Sequence, residues 1–222
     1  MSSSDGPGGS AASADRERLI AALRRDGPLE SDRVEAALRA VPREAFVPAG
    51  EVDHAYEDRA IVTKVLDGVA VSSISQPTMI VWMLEVLAVE PGDHVLEIGA
   101  GTGYNAALLA ELGGRVVTVD VDADVAAAAE ANLRRVGYGP DRVRVIAADG
   151  KVDVDDEGLP YDRIIVTAGA DRVEPAWDRQ LREGGRLVVP ITPRMQAYCY
   201  VKDGGGLSGP VATSPAGFVP LR

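Results

Sequence analysis

Cysteine is nearly absent from this 222-residue chain: Cys199 stands alone, so no internal disulfide can form, and the expectation is a reducing, cytoplasmic setting. Histidine is almost as scarce. His54 and His94 are the only two, and they and the one cysteine show no clustered spacing, so no zinc or iron site is expected, while the same argument leaves a carboxylate-bound magnesium open. Basic charge is short too, with 34 acids against 23 bases and a net charge of −11, which argues against nucleic acid as a partner because phosphates need lysine and arginine. Long apolar runs are missing. The most apolar helical stretch, Met79 to Val89, is broken by Glu85 and is far too short for a bilayer, and no signal-like apolar block stands near the N-terminus, so no membrane is expected. Nor is there a Gly-Lys-Ser/Thr loop, which argues against nucleoside triphosphates.

What is present is a globular composition, 46% hydrophobic and 26% charged, at a length suited to one domain. Residues 1–14 are mostly serine, glycine and alanine and read as an unstructured tail, followed by a single domain over 15–222. Leu19, Ile20 and Leu23, then Val34, Leu38 and Val41, recur at helical spacing with Gly27-Pro28 between them and Ser31 placed to cap the second helix. Gly50 to Lys64 reads as a polar segment. His54 lies there with no nucleophile beside it in sequence and reads as solvated; His94 reads as a turn residue. Three hydroxyls, Ser72, Ser73 and Ser75, lead into Pro77 at the first turn of a helix running to about Ala88, where capping and catalysis are equally open roles.

From there the pattern alternates. Val95–Ile98, Arg115–Asp120, Val143–Ala147, Tyr161–Thr167 and Gly184–Pro190 read as strands, with helices over Asn105–Leu112, Asp124–Val136 and from Pro175 through Leu181. Tyr198–Val201 and Gly217–Leu221 read as further strands, the loop Gly204–Gly206 lying between them, and Asp153–Glu157 as an acidic loop. This order predicts an α/β fold with a mostly parallel sheet and helices on both faces, preceded by a short helical extension. Ligands of such sheets gather at the carboxyl ends of the strands, which places Gly99, Gly101, Gly103, Asp120, Asp149 and Thr167 on one rim. Glycine at three alternate positions suits a turn against which a nucleotide-like cofactor can lie, although a plain structural turn is the competing reading. The spacing Gly-x-Gly-x-Gly differs from the Gly-x-Gly-x-x-Gly of dinucleotide folds. Asp120 is placed to accept from ribose hydroxyls, and Asp149 from an adenine amine.

Glu97-Ile98-Gly99-Ala100-Gly101-Thr102-Gly103, Asp120, Ala148-Asp149-Gly150 and Pro160-Tyr161-Asp162 resemble the class I S-adenosylmethionine methyltransferases. Ser73-Ile74-Ser75-Gln76-Pro77 upstream of the glycine loop narrows the resemblance to the protein-L-isoaspartate O-methyltransferase family. Val41-Pro42-Arg43-Glu44-Ala45-Phe46-Val47-Pro48 and the closing Phe218-Val219-Pro220-Leu221 are similar in kind and order. The resemblance covers about Leu19 to Leu221 and implies a Rossmann-like class I methyltransferase fold, residues 15–75 forming the substrate side and 76–222 the cofactor core. It implies S-adenosyl-L-methionine as cofactor, Ser75 as the active-site serine, and cofactor contacts at Ser72, Ser73, Ile74, Ser75, Glu97, Gly99, Asp120, Asp149 and Gly150. One departure is visible: Ala60 to Val71 replaces the Leu-Pro-Ile-Gly-x-Gly-Gln-like run usual in the family.

The implied activity is methylation of isoaspartyl or aspartyl carboxylates in proteins or peptides. Its near rival is aspartate methylation of a ribosomally made natural-product peptide, the ester collapsing to a succinimide (aspartimide). A nicotinamide-dependent oxidoreductase and a non-catalytic peptide-binding module are more distant alternatives. A monomer is favoured over an oligomer.

Overall fold

The computed structural model describes residues 7–154 and 159–222. The first residues of the expected tail and most of the acidic loop Asp153–Glu157 lie outside the described residues. Helix α1 spans Pro7–Asp26, so residues 7–14 are helical where a tail was expected. The expectation considered only apolar burial. A helix already nucleated by an anchored segment extends into flanking residues without having to bury them. Helix α2 spans Asp32–Ala40 and is capped as expected, the Ser31 side chain accepting from Arg33 N and Val34 N.

A hairpin follows that the polar reading of Gly50–Lys64 missed. Strands β1 (Ile61–Leu66) and β2 (Val69–Ile74) pair antiparallel in a sheet of their own. Asp67 and Gly68 turn the chain with φ of 51° and 79°, the positive pair that a two-residue type I′ hairpin requires. Helix α3 (Pro77–Leu87) begins directly after β2 with its proline in the first turn. The serines do not cap it. Asp58 reaches in from before the hairpin and accepts from Thr78 N at 2.8 Å, Thr78 Oγ1 at 2.6 Å and Gln76 Nε2 at 3.0 Å.

The main sheet contains β3 (His94–Ile98), β4 (Arg115–Asp120), β5 (Val143–Ala147), β6 (Tyr161–Val166), β7 (Leu181–Ile191), β8 (Gln196–Lys202) and β9 (Leu207–Pro215). Their order is β5-β4-β3-β6-β7-β8-β9; pairs from β5 to β7 are parallel, and β7-β8-β9 are antiparallel. Helices α4 (Tyr104–Glu111), α5 (Ala123–Arg135) and α6 (Pro175–Gln180) complete the alternation. One core lies where α1 to α4 meet the sheet, around Leu84, Leu108 and Ile165. A second surrounds Trp177 of α6, with Leu96, Ile164 and Leu187 from the strands.

Three local expectations need correction. His94 is the buried first residue of β3, its ring 4.5 Å from that of Tyr161, rather than a turn residue. Strand β7 begins at Leu181, and Gly184-Gly185 sit in the irregular register between the pairs Tyr161–Leu181 and Arg163–Arg186 instead of separating helix from strand. The last strand is Leu207–Pro215, not Gly217–Leu221. Gly209-Pro210 reads as a breaker, yet β9 is an edge strand, where proline is tolerated because one row of amides faces away from the sheet. Residues 217–221 instead lie across Gly169, which donates to Val219 O and accepts from Leu221 N, each at 2.8 Å.

Candidate active site

The carboxyl ends of β3, β4 and β6 open onto a cavity of about 920 Å3, counting space open to solvent. Its floor is the glycine loop. Gly99 and Gly101 take φ of 102° and 53°, and Thr167 Oγ1 donates to Gly99 O at 2.6 Å, so the end of β6 fixes the loop's first turn. A Cβ on Gly101 would find only Ser73 O within 4 Å, at 3.8 Å: this glycine opens into the cavity. Gly103 differs. It lines no part of the cavity, and a Cβ there would stand 2.8 Å from Leu133 Cγ and 3.1 Å from Ala129 O at a φ of 87°. Its work is packing α4 against α5, and Gly103→Ala is expected to cost about 2 kcal/mol of stability, read by chemical denaturation.

Glu97, within β3, is fully buried and reaches the cavity wall. Its Oε1 accepts from Asn105 Nδ2 at 2.8 Å and its Oε2 from Thr118 Oγ1 at 2.7 Å. Burial nonetheless pushes its carboxyl up to about 7, the two hydrogen bonds offsetting only part of that effect. Asp120, at the end of β4, also lines the cavity; its Oδ2 accepts from Gly101 N at 3.2 Å and its Oδ1 from Asp122 N at 3.1 Å. Thr102 Oγ1 is buried at the cavity without a hydrogen-bond partner among the described residues. Two carboxylates and an unused hydroxyl beside apolar Ile98, Met83 and Leu221 suit a ligand that is cationic, hydroxylated and partly apolar. S-adenosyl-L-methionine has that chemistry.

The roof comes from both ends of the chain. The hairpin lowers Ser72, Ser73, Ile74 and Ser75 onto the cavity, and residues 219–222 cover it from the other side. Asp122 ties both down, pairing with Lys64 of β1 at 2.7 Å and with Arg222 at 3.2 Å. The same carboxylate caps α5. Lys64 and then Arg222 hold it down at about 2, against the partial desolvation that raises it. Because this carboxyl is depressed in the folded state, its contribution is complete above the unfolded value near 4 and is lost as pH falls toward 2. Asp122→Ala is expected to cost about 1–2 kcal/mol at neutral pH, and Asp122→Asn, which keeps the cap, less than about 1 kcal/mol. Parallel thermal melts check the difference.

Ser75 stands at a junction. With Ser73 it lines both the main cavity and a second one of about 450 Å3, counted in the same way, that is bounded by Ala60, Gln76, Met79 and the chain from Pro215 to Phe218. Ser73 and Ser75 thus stand in the wall between two spaces, one suited to a cofactor and the other open for a second reactant.

Of the residues expected to contact a cofactor, Ser72, Ser73, Ile74 and Ser75, then Glu97, Gly99 and Gly101, then Asp120 and Gly150 all line the cavity. Gly103 and Asp149 do not. The Asp149 carboxylate instead accepts from Lys151 N at 2.9 Å and shapes the turn after β5. The sequence reading missed residues 219–222 as a roof, having taken Gly217–Leu221 for strand, and missed Trp177, whose Nε1 donates to Gly150 O at 2.7 Å and holds that glycine at the wall. Ile80 and Met83 of α3, both buried in the first core, are also cavity wall. His54 faces solvent and pairs with Glu57 at 2.8 Å, as the solvated reading has it.

Comparison with known proteins converges with this geometry. The profile of the protein-L-isoaspartate(D-aspartate) O-methyltransferase family matches residues 14–222. A protein-L-isoaspartate O-methyltransferase of Hyperthermus butylicus is 41% identical over 221 residues, covering 93% of this chain and 88% of its own length. A solved structure of a protein-L-isoaspartate O-methyltransferase aligns with a TM-score of 0.80 at 32% identity, covering 93% of this chain and 66% of that one. A protein from Plasmodium falciparum, described as a putative member of the same family and solved with S-adenosyl-L-homocysteine, shares the fold at TM-score 0.73 and 22% identity, covering 93% of this chain and 98% of that one.

Proposed function

This chain belongs to the protein-L-isoaspartate(D-aspartate) O-methyltransferase family, and from that premise we propose that it methylates the free carboxylate of isoaspartyl residues in proteins and peptides, with Ser75 aligning the reacting oxygen. The observation that carries the reading is the position of Ser75 in the wall shared by the two cavities. Glu97, Asp120, the glycine loop and the hairpin serines would hold S-adenosyl-L-methionine, which would supply an electrophilic sulfonium methyl for transfer to a carboxylate oxygen, the bonding electron pair staying on sulfur.

The chain's own residues have little proton chemistry to perform. A carboxyl group with a pKa near 4 is already ionised at neutral pH, so no general base is needed, which fits a site without histidine. What remains is alignment and exclusion of water. Holding two reactants in line is worth effective molarities of roughly 10⁵ M and upward. The oxygen loses negative charge as the methyl arrives, so a hydrogen bond from Ser75 Oγ favours the ground state electrostatically. Its useful contribution is therefore orientation. The roof formed by the hairpin and residues 219–222 covers the reacting centre and keeps water from it.

The reading extends to a cytoplasmic, monomeric enzyme, which the buried, lone Cys199 suits. Among the described residues no helix is long and apolar enough to cross a membrane.

Incubation with methyl-labelled S-adenosyl-L-methionine and either an isoaspartyl peptide or its normal aspartyl twin tests the proposal. Label is expected in the isoaspartyl peptide alone. Labelling of the aspartyl twin instead would assign the chain to aspartate tailoring, the alternative that the unusual 60–71 segment leaves open.

A further inference from the structure

Arg43 lies just after α2, in the single 3-10 turn Arg43–Ala45, and is 1% exposed. Its Nε donates to Ala55 O at 2.8 Å and its Nη2 to Ser75 O at 3.0 Å: the hydrogen bonds of this buried charge end on carbonyls and not on a carboxylate. Nη1 is buried with no hydrogen-bond partner among the described residues. The guanidinium lies 5.1 Å from the ring centroid of Tyr104, itself part of the cavity wall. A buried cation that reaches no carboxylate by hydrogen bond among the described residues, Asp58 and Tyr104 offsetting only part of its desolvation, is costly, and an apolar side chain of similar size would serve packing at least as well. Packing alone does not account for it.

Ser75 links β2 to α3, a junction where the backbone leaves the hairpin ladder before any helical hydrogen bond begins. Two charged side chains grip it from outside. Arg43 holds the Ser75 carbonyl, and Asp58 holds Gln76 and Thr78 immediately after it. Through the Ser75 peptide, these bonds restrict where the Ser75 hydroxyl points in the wall between the two cavities. We infer that Arg43 is a positioning residue for methyl transfer, acting through the Ser75 main chain to fix the hydroxyl that aligns the substrate carboxylate. This rests on the role given above to Ser75. Lysine cannot replace it, because one ammonium on a flexible stem does not span the Ala55 and Ser75 carbonyls in the rigid fork that guanidinium provides.

The test is a double-mutant cycle on the full chain, with initial rates for an isoaspartyl peptide, cofactor affinity by calorimetry and Tm recorded for each variant. Arg43→Lys is expected to lower kcat about tenfold with the peptide KM within about threefold. Arg43→Met is expected to lower kcat further, and both variants should bind S-adenosyl-L-methionine within about threefold of the unmutated protein. The deciding measurement is additivity: if Arg43 acts through Ser75, adding Arg43→Lys to Ser75→Ala changes kcat by less than about twofold. A double variant about tenfold slower than Ser75→Ala alone overturns the inference, as does full kcat in Arg43→Lys. Should Arg43→Met fail to fold, the lysine variant carries the cycle unaided. Failure of the unmutated chain to methylate the isoaspartyl peptide would strike the functional proposal instead, so the two failures are distinguishable.

Discussion

Ser75→Ala is expected to reduce the rate of methyl transfer to an isoaspartyl peptide by about a hundredfold or more while leaving affinity for S-adenosyl-L-methionine within about threefold. The separation follows from where the atoms stand. The cavity lining that would hold the cofactor is spread over Glu97, Asp120, the glycine loop and four hairpin residues, so loss of one hydroxyl is expected to remove little of the binding. The second cavity has far fewer polar groups, and Ser75 is among those it shares with the first. Removing its oxygen leaves the backbone unchanged and frees the carboxylate to rotate out of line. Single-turnover rates with saturating cofactor, beside calorimetric titration of the same variant, check both halves. Full turnover would remove Ser75 from the reaction; lost cofactor binding would make it a cofactor ligand and not an aligner.

The parts of this site legible in the sequence are those whose function imposes a local pattern. Parallel strands buried on both faces read as apolar runs, so β3, β4 and β6 and the glycine loop at their ends are visible without tertiary information. The hairpin is less visible because its pattern is inverted by its role. Thr63 and Ser72 hydrogen-bond across it at 2.9 Å while Val65 and Val69 are 58% and 62% exposed, and only Asp67-Gly68 marks the turn. Residues 219–222 form a roof through contacts with Gly169, fifty residues away, which no periodicity encodes. Arg43 belongs to a recognisable element, Val41 to Pro48, yet a buried guanidinium looks in sequence like any surface arginine. Asp149 follows β5, where an adenine contact is expected, and one of its carboxylate oxygens also accepts from Lys151 N in its own turn.

Glu97 carries the second large effect, a pH dependence of both stability and cofactor affinity. Its carboxyl is raised to about 7 in the folded protein from an ordinary 4.5. A folded-state value above the unfolded one means that the folded chain holds more protons between the two, so this group's contribution to stability is complete below about 4.5 and falls as pH rises toward 7. At 1.36 kcal/mol for each unit, the ligand-free protein gives up on the order of 3 kcal/mol across that window. Glu97→Gln removes the ionisation but supplies only one acceptor oxygen where Asn105 and Thr118 each donate to the carboxylate. The variant is therefore expected to be more stable than the unmutated protein above pH 7 by about 1–2 kcal/mol, and no more stable at pH 5. Binding reverses the preference. A cationic cofactor favours the ionised carboxylate, so affinity of the unmutated protein should rise by up to about tenfold per pH unit between pH 5.5 and 6.5 and level off above 7, while the cofactor's ammonium stays protonated through the rising part. In Glu97→Gln the affinity should be weaker by tenfold or more at pH 7 and flat across the range. Calorimetric titrations and melts at pH 5.5, 6.5 and 7.5 measure both. A pH-independent affinity in the unmutated protein would mean that Glu97 does not ionise to hold the cofactor, and its burial would then be a purely structural cost.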